Sequence, residues 1–201
     1  MASLVLTAET LVTVPSAGQE EFSGTIFTGA PTSTTRGIIP TEQFFRLNAD
    51  LAGANATGAQ NIFGVGVTLA GSTVYEFEII FSLNKTAGTT SNTVSLGFGG
   101  TATLNNIGNE IFISNNYSAV GIPSWFTVAN AGVLTGGIVA ASVQLPFAMK
   151  GTVSINAGGT FTPQYTLSAA PGGAYSTLAG SYMKIKPIGV SGANTSVGTW
   201  A

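Results

Sequence analysis

Histidine and cysteine are absent from this chain of 201 residues, and charge of either sign is scarce, with six Lys/Arg and eight Asp/Glu. Without imidazole the chain lacks the side chain most used for proton transfer near neutral pH and for holding transition metals. Without thiols it has neither a disulfide framework nor a sulfur nucleophile. The chain therefore reads as non-catalytic, with no cofactor and no metal. The cations are Arg36, Arg46, Lys85, Lys150, Lys184 and Lys186, and only the last two stand close together. At a net charge of −2, such scattering excludes the clustered phosphate contacts that nucleic acid demands. Long apolar runs are missing as well. Residues 62–67 are cut by Gly64 and Gly66, and residues 132–143 by Thr135, Gly136 and Gly137. Neither approaches the roughly 20 apolar residues of a membrane helix. The Ser/Thr/Gly loops are too irregular in length for the even alternation of a membrane barrel. No membrane partner is expected. Met1-Ala2-Ser3-Leu4 shows no charged n-region and no cleavage site, so no secretory signal is expected. Without a secretory route, the Asn-X-Ser/Thr triplets at Asn55, Asn84, Asn116 and Asn194 read as chance matches.

What the chain does have is alternation, interrupted by Gly, Asn, Pro and Ser. Tyr75, Phe77, Ile79, Phe81 and Leu83 point one way, and Glu76, Glu78 and Ser82 the other. Val94, Leu96 and Phe98 alternate with Ser95 and Gly97, and Val143, Leu145, Phe147 and Met149 with Gln144, Ala148 and Lys150. Val153 and Ile155 form a short strand that turns through Asn156-Ala157-Gly158-Gly159 into Phe161, Pro163, Tyr165 and Leu167. Met183 and Ile185 alternate with Lys184 and Lys186. This is the strand-and-turn pattern of an all-β domain. The one helical signal is a short turn near residues 123–130, with Ser124 as cap before Trp125-Phe126.

The first forty residues differ. Residues 4–6 and 10–14 read as extended pieces that end at Pro15-Ser16-Ala17-Gly18, and residues 23–40 are rich in Thr, Gly and Pro. The division is thus an extended N-terminal arm over 1–40 and a knob domain over 41–201. An arm too thin for its own core pairs with another surface, or adds an edge strand to its own sheet. Leu4, Leu6, Leu11, Val12 and Val14 are its anchoring candidates.

From about residue 34 onward the chain resembles a module of tailed-bacteriophage virion proteins, of the fibre and head-decoration type. The likeness rests on Thr34-Thr35-Arg36-Gly37, Pro40-Thr41-Glu42-Gln43-Phe44-Phe45-Arg46-Leu47-Asn48-Ala49-Asp50 and residues 52–60. It continues through Gly66-Val67-Thr68-Leu69, residues 73–78, Lys85-Thr86-Ala87-Gly88-Thr89-Thr90 and Gly151-Thr152-Val153. Residues 158–164, 169–174 and 180–189 complete it. The resemblance implies an antiparallel jelly-roll β-sandwich as the head, similar to the tumour-necrosis-factor-like fold, that assembles as a homotrimer. It implies a place on the capsid or tail surface of a virion, reached from the host cytoplasm. About forty residues precede the head where fibre proteins usually carry a long shaft. That favours a decoration or cement knob on the major capsid protein, or on another virion protein, over a fibre tip binding host surface glycans.

Little-charged outer strand positions independently suggest subunit contacts, with Tyr75, Phe77, Trp125, Phe126 and Trp200 as candidates for trimer or glycan contact. Trp200 is expected to plug a groove on the same trimer. Glu76 and Glu78 share a strand face, whereas sugar hydrolysis needs opposed carboxylates, so a solvated face or salt bridges to neighbouring strands is expected. No spacing ties Asp50 to Glu42 or Glu110. Gly97-Phe98-Gly99-Gly100 lacks the Lys-Ser/Thr and helix of a phosphate loop and reads as a turn or bulge. Asn105-Asn106 with Asn109-Glu110 comes nearest to a calcium site, but Asn and Gly also make turns. Asn115-Asn116-Tyr117 reads as a loop.

Overall fold

The computed structural model describes residues 6–33, 35–114 and 124–200, and among them there is no helix. In chain order the strands are β1 (Glu20–Phe22), β2 (Phe27–Thr32), β3 (Thr35–Ile39), β4 (Gln43–Arg46), β5 (Leu51–Ala52), β6 (Gln60–Asn61), β7 (Val67–Leu69) and β8 (Thr73–Lys85). They continue as β9 (Val94–Gly99), β10 (Thr103–Ile113), β11 (Ser124–Phe126), β12 (Asn130–Val133), β13 (Val143–Ala157), β14 (Gly159–Leu167), β15 (Tyr175–Thr177) and β16 (Tyr182–Val190).

Two antiparallel sheets pack face to face. The large one runs β11-β10-β13-β8, and β8 then pairs with both β16 and β15, which carry β4 and β5 on their far edges. The small one runs β12-β9-β14, with β6 and β7 sharing the free edge of β14. Numbered in chain order, the eight principal strands are β4, β7, β8, β9, β12, β13, β14 and β16. One sheet then contains them as 1-8-3-6 and the other as 2-7-4-5, while β10 and β11 extend the large sheet past β13.

The alternation of β8 drives this packing. Tyr75, Phe77, Ile79, Phe81 and Leu83 are all buried, at a gain of about 1.5–3 kcal/mol for each large apolar side chain. Phe77 meets Phe98 of β9 and Phe161 of β14 at ring-centre distances of 5.4 and 6.0 Å. Phe98 and Phe161 stack at 4.6 Å. Tyr75 and Phe77 thus belong to the interior of one subunit, and their placement at a contact between subunits is corrected: the apolar side of β8 is spent on the second sheet.

Two further readings change. Residues 143–157 form one continuous strand rather than two, because Gly151 stays extended where a side chain would collide with the backbone of Gly108 and Asn109. Ser124–Phe126 is a strand paired to residues 109–111 of β10, so the helical turn is not formed there. Pro123 lies outside the described residues.

Residues 20–39, within the stretch read as an extended arm, form a three-stranded meander, β1-β2-β3, with no strand pairing to the sandwich among the described residues. Phe22 and Phe27 stack at 4.5 Å, and Ile26, Thr28 and Ala30 are buried. Glu21 is buried and bonded to Arg36, with Arg36 Nη2 at 2.7 Å. The other oxygen of Glu21 accepts the Val12 N–H at 2.8 Å, and Arg36 donates to the Val12 carbonyl at 2.7 Å. One ion pair between residues far apart in sequence therefore folds the first segment back onto the meander.

Candidate functional site

The outer face of the large sheet gathers the charged side chains of the sandwich strands, the buried Lys85 excepted. Strands β6, β7, β9, β12 and β14 of the small sheet contain no Asp, Glu, Lys or Arg. Strand register arranges the large face in rows. One row runs Trp125–Glu110–Lys150–Glu78–Lys184–Phe44 across six strands, alternating in sign between two exposed aromatics. Lys150 reaches Glu110 at 2.9 Å and Lys184 reaches Glu78 at 3.2 Å. In the next row Lys186 reaches Glu76, also at 3.2 Å. Glu76 and Glu78 are therefore cross-strand ion-pair partners, as their shared face suggested, with cations from a strand a hundred residues away.

The hydrogen bond from the Tyr182 hydroxyl, 2.8 Å long, is the first cause that holds the Glu78 carboxyl below its usual pKa, and Lys184 adds to it. The same bond pushes the Tyr182 hydroxyl up. Lys184 is raised by its bond to Glu78, and Lys150 by its bond to Glu110. The row holds two carboxylates and two ammonium groups, which leaves it electrically balanced.

Beside this ladder lies an apolar row, Phe112–Ala148–Ile80, continued by Tyr182. Ile80 and Phe112 are each 42% exposed, although Ile80 lies on β8 at the centre of the large sheet. At the two ends of the ladder, Phe44 is 61% exposed and Trp125 64%. The Trp125 ring lies on Gly108, where an added Cβ would stand 2.7 Å from the ring. Trp125 thus walls a groove of about 340 Å³ whose lining includes Glu76, Glu78, Lys150, Lys184 and Lys186. A second cleft of about 340 Å³, lined by Phe45, Phe63, Val65, Val67, Met183 and Ile185, opens between β4 and β7.

Of the contact candidates, Trp125 stands on the outer face, Phe126 is partly buried against the core, and Trp200 is exposed, its indole N–H bonded to the Val197 carbonyl at 3.0 Å. Val12 and Val14 are exposed and Leu6 and Leu11 partly buried, while Leu4 lies outside the described residues. Sequence reasoning missed Ile80, Phe112, Phe44 and Tyr182. Ile80 and Phe112 did carry a signal, each being an apolar residue at an outward position of its strand.

The residues that come nearest to a calcium pattern do not converge. Asn109 is buried, whereas Glu110 points outward to Lys150, and both lie within β10 rather than in a turn. Asn105 donates to the Ser191 hydroxyl at 2.7 Å. Among the described residues no three Asp or Glu side chains cluster. Residues 97–99 lie within β9, and Gly100, at φ +112° against the Thr160 carbonyl, begins the bend that follows. Asn115-Asn116-Tyr117 lies outside the described residues.

Neither a family model nor a curated relative matches the chain. Among solved structures, a chain from the infectious bursal disease virus Gx strain is similar at 7% identity and a TM-score of 0.22, over 76% of this chain and 41% of that one. The protein thus spans well under half of that neighbour, and a likeness at this score carries no argument about fold or function.

Proposed function

We propose that this protein is a non-catalytic virion structural protein: a homotrimeric knob that decorates or cements a phage capsid. The observation that carries self-assembly is the outer face of the large sheet. There Ile80, Phe112, Trp125 and Phe44 stand exposed around charges that already neutralise one another. Exposed apolar clusters rimmed by polar groups mark association surfaces. A pre-paired ionic row lowers the desolvation cost that unpaired charges would impose on a contact. The strand order 1-8-3-6 over 2-7-4-5 fits a jelly roll, an architecture that recurs in viral capsid domains. The virion setting rests on the resemblance of residues 34–189 to phage fibre and decoration modules. The N-terminal forty residues, with Val12 and Val14 outward, supply the attachment to the major capsid protein or another virion protein.

Sedimentation equilibrium of the purified chain tests the assembly, with a trimer expected at micromolar concentration and a stable monomer overturning it. Deletion of residues 1–22 should yield a folded knob that no longer decorates particles, and normal decoration by the truncated protein would refute the attachment. A second reading, a fibre tip binding host glycans, draws on the groove beside Trp125, where an indole wall faces hydrogen-bonding carboxylates and ammonium groups. Purified protein that blocks phage adsorption would favour it.

A further inference from the structure

One buried cation takes no part in the ladder. Lys85, the last residue of β8, is fully buried, and strand register sets it between Val143 of β13 and Tyr175 of β15. Its Nζ lies 3.4 Å from Oδ1 of Asn92 and 6.0 Å from the centre of the Tyr175 ring. Among the described residues no carboxylate pairs with it. Asn92 is buried too, and its backbone is clamped by both hydrogen bonds of a bridge to Ile138, 3.2 and 2.7 Å long. Its Nδ2 donates to the Tyr175 hydroxyl at 3.2 Å. An ammonium buried without a counter-charge is costly, and burial here pushes the Lys85 amine down toward its neutral form. A neutral amine is a nucleophile, and the group held against it is a carboxamide.

We propose that Lys85 and Asn92 form an intramolecular cross-link, an isopeptide amide between Nζ and Cγ. The Nζ lone pair adds to Cγ while the carbonyl pair moves onto Oδ1. The carbonyl then re-forms as the Cγ–Nδ2 bond breaks. Nζ loses one proton and Nδ2 gains one. The proton that Nζ gives up is the one the leaving nitrogen takes, beside the Tyr175 hydroxyl 3.2 Å from Nδ2. One amide forms, one ammonia leaves, and nothing is oxidised or reduced. Two features of the fold favour the step. Both partners are held by strand and bridge hydrogen bonds, so the reaction meets little of the entropy cost of an intermolecular one. The product is also a neutral amide, which removes the buried charge altogether. The bond would fasten the end of β8, in the large sheet, to the residues entering β9, in the small one. This inference stands apart from the virion reading and does not depend on it.

The test is the intact mass of the purified full chain followed by its tryptic map. A mass one ammonia below that of the sequence is expected. Trypsin does not cut after an acylated lysine, so residues 47–150 should appear as one peptide, with the deficit located by fragmentation at Lys85 and Asn92. Lys85→Arg and Asn92→Ala should each restore the full mass. If either variant fails to fold, the wild-type mass and peptide still decide. A chain of full mass that is cleaved after Lys85 overturns the proposal, as does a deficit that maps to another asparagine.

Discussion

The two outer faces of the sandwich are built by the same alternation of strands and could hardly differ more. On the small sheet Ser95 and Gly97 lie beside Thr166 and Gln164 in register, a surface of hydroxyls, amides and bare backbone. Gln164 donates sideways to Asn61 at 2.9 Å, and none of these groups is ionised. On the large sheet the corresponding positions carry aromatic and branched apolar side chains beside a paired Glu/Lys ladder. Uncharged polar side chains on the small sheet satisfy water without attracting it strongly, which suits an outside wall. The large sheet combines apolar area, which water disfavours, with charges that do not need water because they have each other. The lesson is that low overall charge does not make a surface uniform: this chain concentrates the charge of its sandwich strands where it also concentrates apolar exposure.

The sharpest way to break that comparison is to place one carboxylate on each face. Ile80→Glu should weaken self-association by a factor of roughly 30 to 1,000, the range of an interface hot spot of about 2–4 kcal/mol. Thr166→Glu, on the small sheet beside Ser95, should change it less than about threefold, since isolated surface changes stay near ±0.5 kcal/mol. Sedimentation equilibrium reads both, with circular dichroism to show that each variant is folded. Equal effects from the two substitutions would erase the functional distinction between the faces.

Strand alternation made much of the interior legible. Within β8, β9, β13, β14 and β16, the apolar residues read as one face are the buried ones. What alternation cannot say is which sheet a strand joins, and so Tyr75 and Phe77 could be assigned to the wrong side of a subunit. Strand β10 escaped because Asn109 occupies an inward position between Ile107 and Ile111, and its amide is buried without a hydrogen-bond partner. The ladder was half visible: Glu76 and Glu78 share a face by spacing alone, but their pairing with Lys186 and Lys184 depends on the register of β16 on β8. The meander at residues 20–39 was hidden because its organising pair, Glu21 and Arg36, is separated by two turns, and pairing across turns leaves no periodic signal.

That buried pair sets a second, smaller contrast against the exposed ladder. Arg36→Ala leaves the Glu21 carboxylate buried without its partner, at an expected local cost of about 3–5 kcal/mol. Hydrogen exchange should report it as lost protection at residues 9–30 while the sandwich keeps its own. Lys186→Ala breaks the pair to Glu76, which is half exposed, and should lower the stability of the sandwich by less than about 1 kcal/mol. If both substitutions act alike, the two ion pairs do not differ in environment as their burial indicates.

The smallest effect expected is the response of the ladder to pH, and its sign separates the faces once more. Glu78 is held below its ordinary pKa of 4.5 in the folded chain. Its contribution is therefore complete above the unfolded value and is lost as pH falls through the lower folded one. Lys150 and Lys184 are held above 10.5 and Tyr182 above 10.0, so their contributions are complete below those values and lost as pH rises through the folded ones. The ladder thus predicts a plateau of stability between about pH 5 and 10 with a shoulder on each side. Any Lys85 left as an amine works the other way at high pH, because burial lowers it and its unfolded form binds the proton better. Comparing wild type with Glu78→Gln cancels that opposing slope. The substitution should remove the acid shoulder and reduce the alkaline one, since Glu78 is the partner of Lys184 and Tyr182 while Lys150 keeps Glu110. No substitution among Ser95, Gln164 and Thr166 that leaves charge unchanged should alter the profile, for that face titrates nothing. Chemical denaturation at pH 3.5, 7 and 10.5 checks both halves: a Glu78→Gln profile that parallels wild type at every pH would mean that the ladder is not paired in solution.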